Sequence, residues 1–100
     1  PTAIFAMNDP MACAVIAAAR RLKINVPEEL SVIGFDDRSC SAYSFPSITT
    51  LHIPLYDIGE LAAQTLLSIL SGEDVDLDQQ LSCNLIERNS VGDAPVNKSK

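Results

Sequence analysis

The apolar positions of this chain alternate between short continuous runs and longer spaced stripes. "TAIFAM" (Thr2 to Met7) is short and unbroken, as expected of a parallel strand covered on both faces. "NDP" follows. Asp9 suits a helix cap, and Pro10 fits the first helical position, where its missing N–H would have no partner. The predicted helix runs to about Lys23, with Met11, Ala14, Val15, Ala18 and Leu22 recurring at helical spacing as its buried stripe. After the proline-bearing turn "INVPEE", "LSVIGF" (Leu30 to Phe35) reads as a second buried strand. Strand, helix, strand is a βαβ unit, whose crossover is almost always right-handed.

The second half continues the alternation. "RSCSAYSFPS" is a polar, turn-rich stretch with room for one helical turn, and "ITTLHI" (Ile48 to Ile53) is β-branched and strand-like. Pro54 opens a helix to Ser71, whose stripe of Ile58, Leu61, Ala62, Thr65, Leu66, Ile69 and Leu70 stops at Gly72. "EDVDLDQQ" reads as a solvated acidic loop, "LSCNLIER" (Leu81 to Arg88) as a last strand, and Asn89 to Lys100 as a polar tail that frays. The whole predicts an α/β fold, a parallel sheet with flanking helices. The opening, directly into a strand after Pro1, suggests a piece of something longer.

Composition narrows the function classes. One hundred residues suit a single small domain, and 47% hydrophobic with 20% charged residues argues against disorder for most of the chain. A net charge of −6 makes the chain by itself a poor ligand for nucleic acid, which needs clustered Lys and Arg. The one basic cluster, Arg20-Arg21-Leu22-Lys23, sits where a helix should end, and there cations favour the helix dipole. Cys13, Cys40 and Cys83 lie far apart with no CxxC spacing, which points to reduced thiols and a cytoplasmic setting. His52 is the only histidine, so a His-rich metal site and a Ser-His-Asp or Cys-His set beyond that one residue are excluded. No metal or cofactor is expected, nor any membrane span, since no apolar run approaches about 20 residues.

Candidate chemistry gathers at the strand ends. Asn8-Asp9 closes the first strand and Asp36-Asp37 the second. In open α/β sheets ligands bind outside the carboxyl ends of the strands, so parallel strands would bring both pairs to one rim. An amide and a carboxylate held there can bond the hydroxyl or ring N–H groups of a small polar ligand. Asp9 is better explained as a cap. Asn8 is open between turn and ligand contact, one of Asp36 and Asp37 serves the loop, and Phe35 belongs more to the core than to a stacking platform.

"PTAIFAMNDPMACAVIAAARRLKINVPEELSVIGFDD", followed by "FPSITTLHIP", resembles the C-terminal part of the LacI/GalR family of bacterial transcriptional repressors. The resemblance rests on a strand, Asn-Asp, a Met-Ala helix, Val-Pro-Glu-Glu, Ser-Val-Ile-Gly-Phe-Asp-Asp and a Thr-Thr strand. A proline-headed helix bearing Gly59 and a closing Glu-Arg strand complete it, all in order over about residues 1 to 92. It implies a periplasmic-binding-protein-like (type I) core of two α/β lobes, present here as a C-terminal fragment. Residues 1–52 would lie mainly in the C-terminal lobe, 53–80 mainly in the N-terminal lobe, 81–88 in the returning strand, and 89–100 in a flexible tail.

The resemblance further implies a ligand-sensing part of a repressor that answers a small polar effector, a sugar or a nucleobase-like metabolite. Asn8 and Asp36 match effector-contacting positions, with Asp9, Asp37 and Phe35 as secondary candidates. Met11, Cys13, Cys40, Tyr43 and Phe45 fall where the family forms homodimers. Operator DNA would be bound by a helix-turn-helix domain outside this chain, and the other effector contacts lie upstream of Pro1. Ile53 departs from the polar residue that relatives usually carry before the proline. The rival readings are a periplasmic sugar-binding protein and, more remotely, a flavodoxin-like enzyme or phospho-accepting receiver.

Overall fold

The computed structural model describes residues 1–96. Its elements follow in the order β1 (Ala3–Phe5), α1 (Asp9–Arg21), β2 (Ser31–Ile33), α2 (Ser39–Tyr43), β3 (Thr50–His52), α3 (Leu55–Leu70) and β4 (Asn84–Ile86). The described residues divide into two compact units, one of Pro1–His52 with 84–96, the other Ile53–Cys83.

In the first unit β1 and β2 are parallel, with Ala3 opposite Ser31, Ile4 opposite Val32 and Phe5 opposite Ile33. β2 is continued sideways by β3 through parallel bridges at Ile33–Thr49 and Asp36–His52, and β3 pairs antiparallel with β4. α1 crosses from β1 to β2 and packs on the sheet. The core is Ala6, Ala12, Ile16, Ala19, Leu30, Val32 and Ile48, with Ile4, Cys13, Val15 and Val26 against it.

Two expectations for this unit are corrected. The buried face of α1 is Ala12, Ile16 and Ala19; Met11 and Leu22 are 51% and 70% exposed. Both sets obey helical spacing, because the helix is apolar nearly all round. The small alanines win, since they let the helix backbone approach the sheet. Nor is β1 covered on both faces: Phe5 is 63% exposed, and its ring meets Phe35 edge-on at a centroid distance of 6.3 Å.

The chain beyond β4 is not frayed at its start. Ser90 is fully buried, its N–H and C=O region running beside β2, where the Val32 N–H donates to the Ser90 carbonyl at 2.8 Å. Its hydroxyl accepts from the Thr49 N–H at 2.9 Å and donates to the Val32 carbonyl. A buried hydroxyl with both roles filled fixes the backbone around it. The expected polar tail therefore starts after this strap, and residues 97–100 lie outside the described residues.

In the second unit α3 leaves no residue fully buried, and Gly72 ends it with a positive φ of 81° that favours glycine. Ile58, Leu61, Leu66 and Ile69 line an apolar groove with Leu77 and Leu81 from the following loop.

Candidate functional site

The carboxyl ends of β1 and β2 lie side by side. The Ala6 N–H donates to the Ile33 carbonyl at 2.8 Å and the Asp9 N–H to the Phe35 carbonyl at 3.0 Å. These bonds carry the pairing past the strands and set Asn8-Asp9 next to Asp36-Asp37. Gly34 and Asp36 donate in turn to the carbonyls of Thr49 and Leu51 at 2.9 and 3.0 Å, so β3 joins the same rim.

Four polar side chains here have four different surroundings. Asn8, not Asp9, caps α1: its Oδ1 accepts from the Met11 N–H at 2.9 Å. Asp9 is instead the first residue of the helix and is fully buried. Its carboxylate oxygens accept from the Arg38 N–H and the Thr50 hydroxyl, both at 2.6 Å. It thereby clamps the loop after β2 and the start of β3 to the start of α1. Gly34 is needed beneath it, because a Cβ there would fall on the Asp9 carboxylate.

Asp36 and Asp37 both adopt positive φ, 99° and 56°, a region that aspartate tolerates better than most residues. This is one local reason for two adjacent carboxylates. Asp37 turns inward and is paired twice, with Arg88 at 2.9 Å and with His52 Nδ1 at 3.0 Å. Burial pushes its carboxyl up, but the hydrogen bonds and charges of Arg88 and His52 outweigh that and hold it below the usual 3.8. Arg88 also donates to the Ser41 hydroxyl at 2.7 Å and the Ile48 carbonyl at 3.0 Å, tying the chain just past β4 to α2 and to the segment before β3.

Asp36 is the less occupied carboxylate, its side chain 28% exposed against 19% for Asp37. Among the described residues its one charged neighbour is Arg38, with Nε 3.7 Å away, and that side chain is 66% exposed. Asn8, whose Oδ1 is taken by the cap, and Asp36, with one exposed cation beside it, retain polar capacity at the rim, whereas Asp9 and Asp37 are consumed by the fold. Phe35 is half-buried in its contact with Phe5. Among the residues assigned to a homodimer face, Met11, Tyr43 and Phe45 are exposed, at 51%, 87% and 84%, while Cys13 and Cys40 are half-buried.

Sequence reasoning missed Thr50, Arg38, His52 and Arg88 as parts of this region. Arg38 follows the aspartate doublet directly, and Arg88 closes a strand; only the three-dimensional pairing of β2, β3 and β4 brings them to it.

Fold and strand-end rim together define an α/β lobe of the periplasmic-binding-protein type. A family model described as periplasmic binding protein-like domain matches residues 1–91. The chain is 41% identical over 96 residues to the HTH-type transcriptional repressor PurR of Serratia proteamaculans (strain 568), covering 95% of this chain and 28% of that protein. It is 38% identical to the HTH-type transcriptional repressor CytR of Escherichia coli (strain K12), with the same coverage of 95% and 28%. The lac repressor dimer, solved bound to operator and the anti-inducer ONPF, superimposes with a TM-score of 0.86 at 30% identity, over 91% of this chain and 32% of that one. The chain belongs to the periplasmic binding protein-like domain family, and regulators titled as LacI-family are among the solved structures it resembles. It spans just over a quarter of the length of the curated relatives it matches.

Proposed function

We propose that this chain is the ligand-sensing and dimerisation part of a cytoplasmic transcriptional repressor, and that Asn8 and Asp36 contact a small polar effector. The observation that carries the reading is the division of labour on the rim. Asp9 and Asp37 are satisfied within the fold, while the Asp36 carboxylate, 28% exposed, has among the described residues only the exposed Arg38 cation beside it, at 3.7 Å. A carboxylate and an amide suit a ligand rich in hydroxyl or ring N–H donors, a sugar or nucleobase-like metabolite. The relatives are repressors by name rather than solute carriers or enzymes, which supports a regulator without catalysis of its own.

The effector works by differential affinity: it shifts a conformational equilibrium only as far as it binds one arrangement better than the other. Met11, Tyr43 and Phe45 present the exposed apolar surface for a homodimer, and operator DNA is bound through a segment outside this chain. No helix among the described residues is long and apolar enough to cross a membrane.

The test is a thermal-shift screen of the whole protein against monosaccharides, disaccharides, nucleosides and nucleobases, followed by titration of any hit. Asp36→Asn keeps a residue that accepts positive φ but removes the charge. It is expected to weaken binding by about 10- to 100-fold, the worth of one charged hydrogen bond, with an unchanged melting midpoint. Unaltered affinity in this variant removes Asp36 from the site.

A further inference from the structure

α1 and α2 are tied together at their starts, where the buried Asp9 carboxylate accepts the N–H of Arg38, the N-cap of α2. One helical turn further along α1 stands Cys13, and two residues further on α2 stands Cys40. The Cys13 thiol donates to the carbonyl of Cys40 itself at 3.9 Å, and both cysteines are half-buried. Burial and the neighbouring Cys40 side chain push the Cys13 thiol above its usual 9.0. The two sulfurs belong to different elements, and neither takes part in the rim.

We propose that Cys13 and Cys40 form a dithiol modification site that a peroxide-class oxidant closes to an intrachain disulfide. One thiolate attacks the peroxide oxygen and becomes a sulfenic acid as hydroxide leaves and takes a proton. The second sulfur attacks the sulfenic sulfur and a second water leaves. Two electrons and two protons pass from the dithiol to the peroxide, giving two waters. The product is a covalent tie between α1 and α2, parallel to the Asp9–Arg38 tie. The proposal is independent of effector binding.

Cys83, exposed and in the other unit, is the built-in control. The full chain, reduced and freed of reductant, is treated with hydrogen peroxide. Remaining thiols are then blocked with N-ethylmaleimide in denaturant and the peptides are mapped by mass spectrometry. The expected result is a Cys13–Cys40 linked peptide in monomeric protein, lost on treatment with dithiothreitol and unchanged in Cys83→Ser. Cys40→Ser should lose the link. Cys13 and Cys40 both carrying maleimide, a link through Cys83, or a link only between chains would each overturn the proposal.

Discussion

Asp9 shows how one buried carboxylate sets the geometry around it. Its two oxygens hold the Arg38 N–H and the Thr50 hydroxyl, and Gly34 leaves the space they need. Gly34→Ala is expected to destabilise the chain by about 1–3 kcal/mol through overpacking, read as a lower urea midpoint. Asp37 behaves differently because its partners are charged. Its folded pKa is lowered, so its contribution to stability is present above the unfolded value near 3.8 and is lost as pH falls through the folded one. Melting midpoints followed from neutral pH downward should therefore fall more steeply below about pH 4 in the parent than in Asp37→Asn. Identical acid limbs would contradict this. The doublet was legible as a strand end. Which role Asn8 and Asp9 play was not, since either can cap and only one side chain fits the space over Gly34.

At the scale of elements, type was legible and orientation was not. Apolar runs, Pro10, Pro54 and Gly72 mark where strands and helices begin and stop, and the structure keeps those assignments with shorter strands. The face of α1 could not be read, because a helix rich in alanine satisfies helical spacing on two sides. Packing decides it: Ala12 is fully buried and Ala14 exposed. Ala12→Leu is expected to cost about 1–3 kcal/mol, while Ala14→Leu stays within about 0.5 kcal/mol of the parent, both read by chemical denaturation. The Ser90 strap was hidden for a related reason. A polar segment looks like a tail until its hydroxyl is seen bridging the Thr49 N–H and the Val32 carbonyl.

For the whole molecule, the alternating pattern gave the α/β class, and the run of motifs implied a periplasmic-binding-protein-like core, now matched over residues 1–91. The partition into units depends on long-range contacts that no local pattern encodes. The first unit holds the fully buried side chains, and α3 in the second has none. Local opening follows burial. Hydrogen exchange is accordingly expected to be faster at α3 amides than at those of α1 and β2, and equal protection in both units would refute this.

The antiparallel ladder of β3 and β4 has a consequence in polymer terms. His52 and Asn84 face each other on its last rung, at the two points where the chain leaves and rejoins the first unit. Once that rung forms, the segment between them is a closed loop, and its closure entropy is settled by the first unit alone. Each doubling of such a loop adds only about 0.6 kcal/mol. Inserts of different length can therefore occupy this position while Asp9 and Gly34, on the far side of the ladder's sequence, keep the rim in register.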